Sequence, residues 1–213
     1  MRFEELLATV GDEPLFETGL LLAGDVDPAD VRRQLSRWVK AGRLYQLRRG
    51  LYSLAPPYQK VRPHPYLVAN RLVPGSYLSL QAALSHFGLI PEAVFVMTSV
   101  TAGRPGRWET PLGTYDYRHL QKEMLTGFRR LPLTGGQEAL AATPEKALLD
   151  LVYLEPEGDS PAYLAELRLQ NMDVLNLDEL RRLAEDLGKP KLRRAAERVV
   201  ELAETEAREY QPL

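Results

Sequence analysis

The sequence predicts an α+β protein: a small N-terminal unit of three short helices and a β-hairpin, then a larger mixed α+β region ending in helices. Three observations carry this reading. The hydrophobic period changes from helical to alternating just after Gly42, a proline-rich stretch (APPYQKVRPHP) follows the alternating runs, and from Ser160 onward leucine and alanine recur at helical spacing. A chain of 213 residues, 45% hydrophobic and 26% charged, is long enough for two packed units and has a globular composition.

The first element, FEELLATV, is an amphipathic helix with Phe3, Leu6, Leu7 and Val10 on one face. The chain extends briefly near Leu15 and Phe16, and Thr18 is placed to cap a second short helix, GLLLA, that Gly24 ends. GDVDPADVRRQL is a strong helix start, with Asp27 at the N-cap and Pro28 at the first helical position. This third helix should run to about Ala41 and stop at Gly42. Val31, Leu35, Trp38 and Val39 then face the core, and Arg32, Arg33, Ser36, Arg37 and Lys40 form the outer face. RLYQL and GLYSL alternate as two strands joined through Arg48 and Arg49, where Gly50 can take a positive φ.

The proline-rich residues 57–65 read as a stiff linker, dividing the chain into units 1–56 and 66–213. Beyond it, HPYLVANRLV predicts a helix from Pro65, and GSYLSLQAALSHFGLIPE a brief strand and a helix ending near Gly88. AVFVMTSV is the best candidate for a buried strand, and WETPLGTYDYRHL a hairpin turning at Pro111–Gly113. GFRRLPL and EALAAT are further strands. Thr143 caps a helix, PEKALLDLVYL, with Pro144 at its first position and Glu145 at the favourable end of its dipole. SPAYLAELRL, LDELRRLAEDLG and KLRRAAERVVELAETEA predict a small helical bundle on the sheet.

Charge is segregated, although the whole chain carries only −2. Up to Asp30, the acids Glu4, Glu5, Asp12, Glu13, Glu17, Asp25, Asp27 and Asp30 face Arg2 alone; from Val31 to Pro91 there is no acid at all. Such a one-sided run suggests a footprint for a polyanion. Three helices followed by a hairpin is the plan of a winged helix-turn-helix, in which the third helix enters the DNA major groove and the hairpin lies along the backbone. On that plan Arg32, Arg33, Ser36, Arg37, Lys40 and Arg43 reach guanine edges or phosphates, and Arg48 and Arg49 meet phosphates at the hairpin tip. Trp38, Tyr45 and Tyr52 read as packing residues rather than base-stacking platforms.

Several chemistries lack their residues. There is no cysteine, hence no disulfide and no thiolate metal site. His64, His86 and His119 are scattered, with no partner at metal-ligand spacing. Gly75–Ser76 resembles the start of a nucleotidyltransferase motif, but no Asp or Glu follows until Glu92, so no carboxylate pair can hold Mg²⁺. Asp116 is not followed by Glu-x-Lys, and Glu145 and Lys146 are adjacent and so diverge on a helix. No phosphate loop is present. The expectation is a non-enzyme without cofactor or metal. No apolar run approaches a membrane span, and the N-terminus turns charged too early for a secretory signal, so a cytoplasmic location is expected.

Three stretches together resemble the AbiEi-type antitoxins, transcriptional regulators of type IV toxin–antitoxin systems: RRGLYSLAP, ANRLVPGSYLSLQAALSHFGLIPE and ATPEKALLDLVYL. The likeness runs from the N-terminus to about Leu154. It implies an autorepressing, operator-binding N-terminal domain, whose DNA-facing role falls on Arg32, Arg33, Arg37, Lys40, Arg43, Arg48 and Arg49. It further implies a C-terminal domain that counters a nucleotidyltransferase-like toxin, though it assigns no residue to that task. Two alternatives stay open at this point: a winged-helix regulator whose C-terminal domain senses a small ligand, and an interaction module whose basic face docks an acidic protein.

Overall fold

The computed structural model describes residues 1–23 and 26–209. Asp27 starts the longest helix of the N-terminal unit as the sequence predicts: its Oδ1 accepts from the Ala29 amide at 2.8 Å, with Pro28 in the first turn. The unit comprises α1 (Phe3–Val10), β1 (Phe16–Glu17), a 3₁₀ turn (Thr18–Leu22), α2 (Pro28–Lys40), β2 (Leu44–Arg48) and β3 (Leu51–Leu54). Strand β3 lies between β1 and β2, antiparallel to both. The expected second α-helix is only the 3₁₀ turn. Glu17, not Thr18, holds its N-cap position, and no side chain caps it. The Thr18 amide instead donates to the Gly50 carbonyl at 2.9 Å. Five residues tethered in this way cannot offset the cost of nucleating an α-helix. The expected stop at Gly24 lies outside the described residues.

The second unit comprises α3 (Pro65–Leu72), β4 (Tyr77–Leu78), α4 (Leu80–His86), β5 (Val96–Thr101), β6 (Gly106–Thr110), β7 (Gly113–His119), β8 (Phe128–Pro132), β9 (Glu138–Ala142), α5 (Pro144–Leu154), α6 (Pro161–Glu166), α7 (Leu177–Asp186) and α8 (Pro190–Glu209). Its six strands form one mixed sheet in the order β6-β7-β5-β4-β9-β8. The β4–β9 and β5–β7 pairs are parallel and the others antiparallel. The expected strand AVFVMTSV pairs only from Val96, and Phe95 is 88% exposed. The reason is register: β7 meets β5 from Thr114 opposite Val96, so no partner reaches back to Ala93.

The helical tail also sits differently from expectation. α7 and α8 pack on α5, and it is α3, α4 and α5 that lie against the sheet. Residues Pro144 to Val152 of α5 are accordingly all buried. The predicted helix SPAYLAELRL stops at Glu166, where positive φ at Arg168 and Asn171 turns the chain toward α7. Among the described residues no helix is long and apolar enough to cross a membrane.

The two units share a core. Leu15, Leu47 and Leu51 of the first pack with Val68, Ala69, Leu72, Leu78, Tyr115 and Tyr117 of the second. The proline-rich stretch is pinned at both ends: Gln59 donates to the Leu54 carbonyl at 3.0 Å, and Gln137 bonds the Arg62 carbonyl and the His64 amide.

A second feature organises the far side of the sheet. Lys146 and Asp150, one turn apart on α5, form an ion pair with no exposed surface. Tyr77 accepts from Lys146 at 2.9 Å and donates to Asp150 at 3.0 Å, and Ser79 donates to Asp150 at 2.8 Å. Gly127, at φ +68°, lies over the Lys146 stem, where an added Cβ would approach to 3.0 Å. Burial pushes the Asp150 carboxyl up and the Lys146 ammonium down, and the opposite charge and hydrogen bond of each partner draw the other back toward its charged form. Asp150→Ala should therefore lower the unfolding free energy by about 3–5 kcal/mol, because it strands a buried ammonium. Replacing both partners, Lys146→Met with Asp150→Leu, should recover much of that loss. Urea unfolding of the single and double variants checks this, and equal losses would contradict it.

Candidate nucleic-acid interface

The apolar residues of α2 decide which way its charges point. Val31, Leu35 and Trp38 are buried against Phe3, Leu6, Phe16, Leu44 and Tyr52. Phe3 meets Trp38 edge-on with ring centres 5.4 Å apart, and Phe16 stacks on Tyr52 at 5.7 Å. With those positions inward, Arg32, Arg33, Ser36, Arg37 and Lys40 are all exposed. The partners of α2 belong to the N-terminal unit, and its outer face is not covered by the second unit. Trp38 and Tyr52 are buried and Tyr45 is half-buried at the shared core, so all three are packing residues.

The basic side chains differ in what holds them. Arg32, Arg37, Lys40 and Arg49 have no ion-pair partner among the described residues. Arg33 pairs with Asp30 at 2.9 Å, both ends well exposed. Such a surface pair contributes about 0–1 kcal/mol, little enough for Arg33 to exchange its partner. The Arg43 guanidinium lies 4.9 Å from the centre of the Phe3 ring, which orients it at the end of α2.

Arg48 departs from the others. It is half-buried and turned inward: Nε donates to the Arg71 carbonyl at 3.2 Å, one terminal nitrogen to the Arg49 carbonyl at 3.1 Å, and the other reaches Glu17 at 3.5 Å. Glu17 also pairs with Arg71 at 3.6 Å. Arg48 thus ties the hairpin to β1 and α3, and at the turn itself Arg49 is the exposed cation. Gly50 closes that turn at φ +83°, a conformation that side-chain-bearing residues rarely adopt. Glu17 and Arg71, which hold Arg48, were not among the predicted site residues. No local pattern marks them, since the contacts span 31 and 23 residues of sequence.

The N-terminal acids are partly neutralised within their own surface. Glu5 bonds the Arg2 amide and guanidinium, which hold its carboxyl below the usual range, and Asp12 pairs with Lys60 at 3.1 Å. Among the described residues of the N-terminal unit, the exposed cations without an ion-pair partner consequently lie on the outer face of α2, just beyond its end at Arg43 and at the hairpin turn, a local concentration of positive charge.

No family model matches this sequence, and no curated protein sequence matches it. Among solved structures the chain is similar to the RV2827C protein from Mycobacterium tuberculosis. The TM-score is 0.55 at 18% identity, over 93% of this chain and 75% of that one. That likeness is one of fold, and it supports the mixed α+β architecture.

Arg48→Ala should destabilise the protein by about 1–2 kcal/mol, since it removes charge-assisted hydrogen bonds at a half-buried site. Arg49→Ala should stay within about 0.5 kcal/mol of the parent, as befits an exposed, unpaired side chain. Thermal or urea midpoints separate the two, and the reverse order would refute this division of roles.

Proposed function

We propose that the chain is a double-stranded-DNA-binding transcription regulator, with residues 1–56 acting as a winged helix-turn-helix. The observation that carries this reading is the row of exposed basic side chains on α2, unshielded by the second unit and followed by a hairpin whose turn bears the exposed Arg49. The order β1-β3-β2, with the short strand from between the first two helical elements beside the returning hairpin strand, is the arrangement a winged helix uses. A helix of 13 residues is about 20 Å long, which suits a major groove.

On this reading α2 lies in the groove. Arg33 and Arg37, one turn apart, address base edges together with Ser36. Arg32, Lys40, Arg43 and Arg49 neutralise phosphates, and Arg48 acts as a positioning residue that sets the height of the hairpin. The resemblance to AbiEi-type antitoxins extends the proposal: the regulator represses its own operon, and its second unit counters a nucleotidyltransferase-like toxin. The Lys146–Asp150–Tyr77–Ser79 cluster is closed to solvent, which favours a non-catalytic role for that unit.

A small-ligand reading has one observation in its favour. A cleft of about 740 Å³ lies between the units, lined among others by Asp12, Leu20, Leu67, Arg71 and Gln137, beside the Arg71 carbonyl that anchors Arg48. Coexpression with the product of the neighbouring gene distinguishes the two readings. A stable complex supports the antitoxin, whereas a metabolite that weakens DNA binding without any complex supports the sensor.

DNA binding itself is tested by substitution. Arg37→Ala should change base preference and cost about 1–3 kcal/mol on the preferred site. Arg32→Ala, Lys40→Ala and Arg49→Ala should weaken binding to all sequences, each reducing the slope of log affinity against log salt by about one. Fluorescence anisotropy across a salt series reads both effects, and salt-independent, uniform losses would overturn the proposal.

A further inference from the structure

We infer that the chain forms a two-fold dimer by pairing the β6 edge of one copy with the β6 edge of a second. β6 is an end strand of the six-stranded sheet, paired on one side with β7 and on the other with no described strand. Its residues from Gly106 to Glu109 are exposed, and Trp108 keeps 37% of its surface in water. An unprotected edge of this kind is a template for strand addition.

The sequence of the edge identifies the occupant. In Gly106-Arg107-Trp108-Glu109-Thr110 the opposite charges flank a central tryptophan, and within one chain they pair at 3.6 Å, an exposed pair weak enough to exchange partners. When two such strands pair antiparallel about a two-fold axis at Trp108, Arg107 of one copy lies opposite the partner's Glu109, and Glu109 opposite the partner's Arg107. The two tryptophans lie side by side. Every charge across the seam is complementary, which is the self-matching an isologous interface requires. Pro105 and Pro111 bound the paired segment at both ends, limiting it to one short strand.

The other edge of the same sheet behaves oppositely. β8 carries exposed Arg129 and Arg130 and includes Pro132. Two β8 strands laid antiparallel about an axis between Arg129 and Arg130 bring arginine opposite arginine, with only Arg130 paired, to Glu138 of β9 at 3.2 Å, and the proline withholds a donor. One edge is thus built to refuse a copy of itself and the other to accept one. Under the proposed DNA-binding role, the dimer would carry two copies of α2 and suit an operator of two-fold symmetry.

The test needs no DNA, so it succeeds or fails independently of that role. Sedimentation equilibrium of the full chain should show a concentration-dependent dimer. Arg107→Glu and Glu109→Arg alone each place like charges opposite one another twice across the seam, and should each raise the dimer dissociation constant by about tenfold or more. An equimolar mixture of these two variants restores opposite charges at both positions and should dimerise again, as should the double variant R107E/E109R. Both residues are exposed, so the fold is retained, and re-association in the mixture demonstrates it directly. A parent chain that stays monomeric overturns the inference. So do single variants that still dimerise, or a mixture that does not re-associate.

Discussion

The double burial of one short strand governs the rest of the molecule. All four residues of β3 are buried, Tyr52 and Leu54 packed among the N-terminal helices and Leu51 against the second unit. A strand enclosed on both faces fixes the position of whatever is attached to it. The hairpin cannot swing, β1 must lie alongside, and α2 must turn Leu35 and Trp38 toward it. The outward direction of the arginines on α2 is therefore a by-product of packing, not of the charges themselves. Surface charge alone could not impose it, because exposed pairs such as Arg33–Asp30 contribute too little to orient a helix.

The parts of this arrangement that were legible in the sequence are those fixed by near neighbours. Asp27 and Pro28 mark the start of α2 within two residues, Gly42 marks its end, and Gly50 permits the hairpin turn. The spacing of Val31, Leu35 and Trp38 then assigns the helix faces with no knowledge of what lies opposite. Contacts made at a distance were not legible. Arg48 reads as a tip residue because its position in the turn is local, whereas its destination is a carbonyl on α3. The proline-rich stretch reads as a spacer, whereas Gln137, far along the chain, binds it at two points.

The same division appears in the second unit. Thr143 and Pro144 announce α5, and the i, i+4 spacing of Lys146 and Asp150 is a pattern that any exposed helix can carry. That this pair is sealed depends on Tyr77 and Ser79 arriving from the region of β4 to satisfy the carboxylate, and on Gly127 lying over the Lys146 stem. AVFVMTSV looks like a buried strand from its own composition, and only the register with β7 shows why its first three residues lie outside the sheet.

The shared core also bears on whether the N-terminal unit is portable. Severing the chain after Pro56 would bare Leu15, Leu47 and Leu51, side chains now covered by α3 and the sheet, and would release Arg48 from its carbonyl anchor. The excised fragment would keep its helices and its arginines yet acquire an oily flank prone to self-association. A change in the N-terminal unit is thus felt by its companion, and the two halves are constrained to melt together.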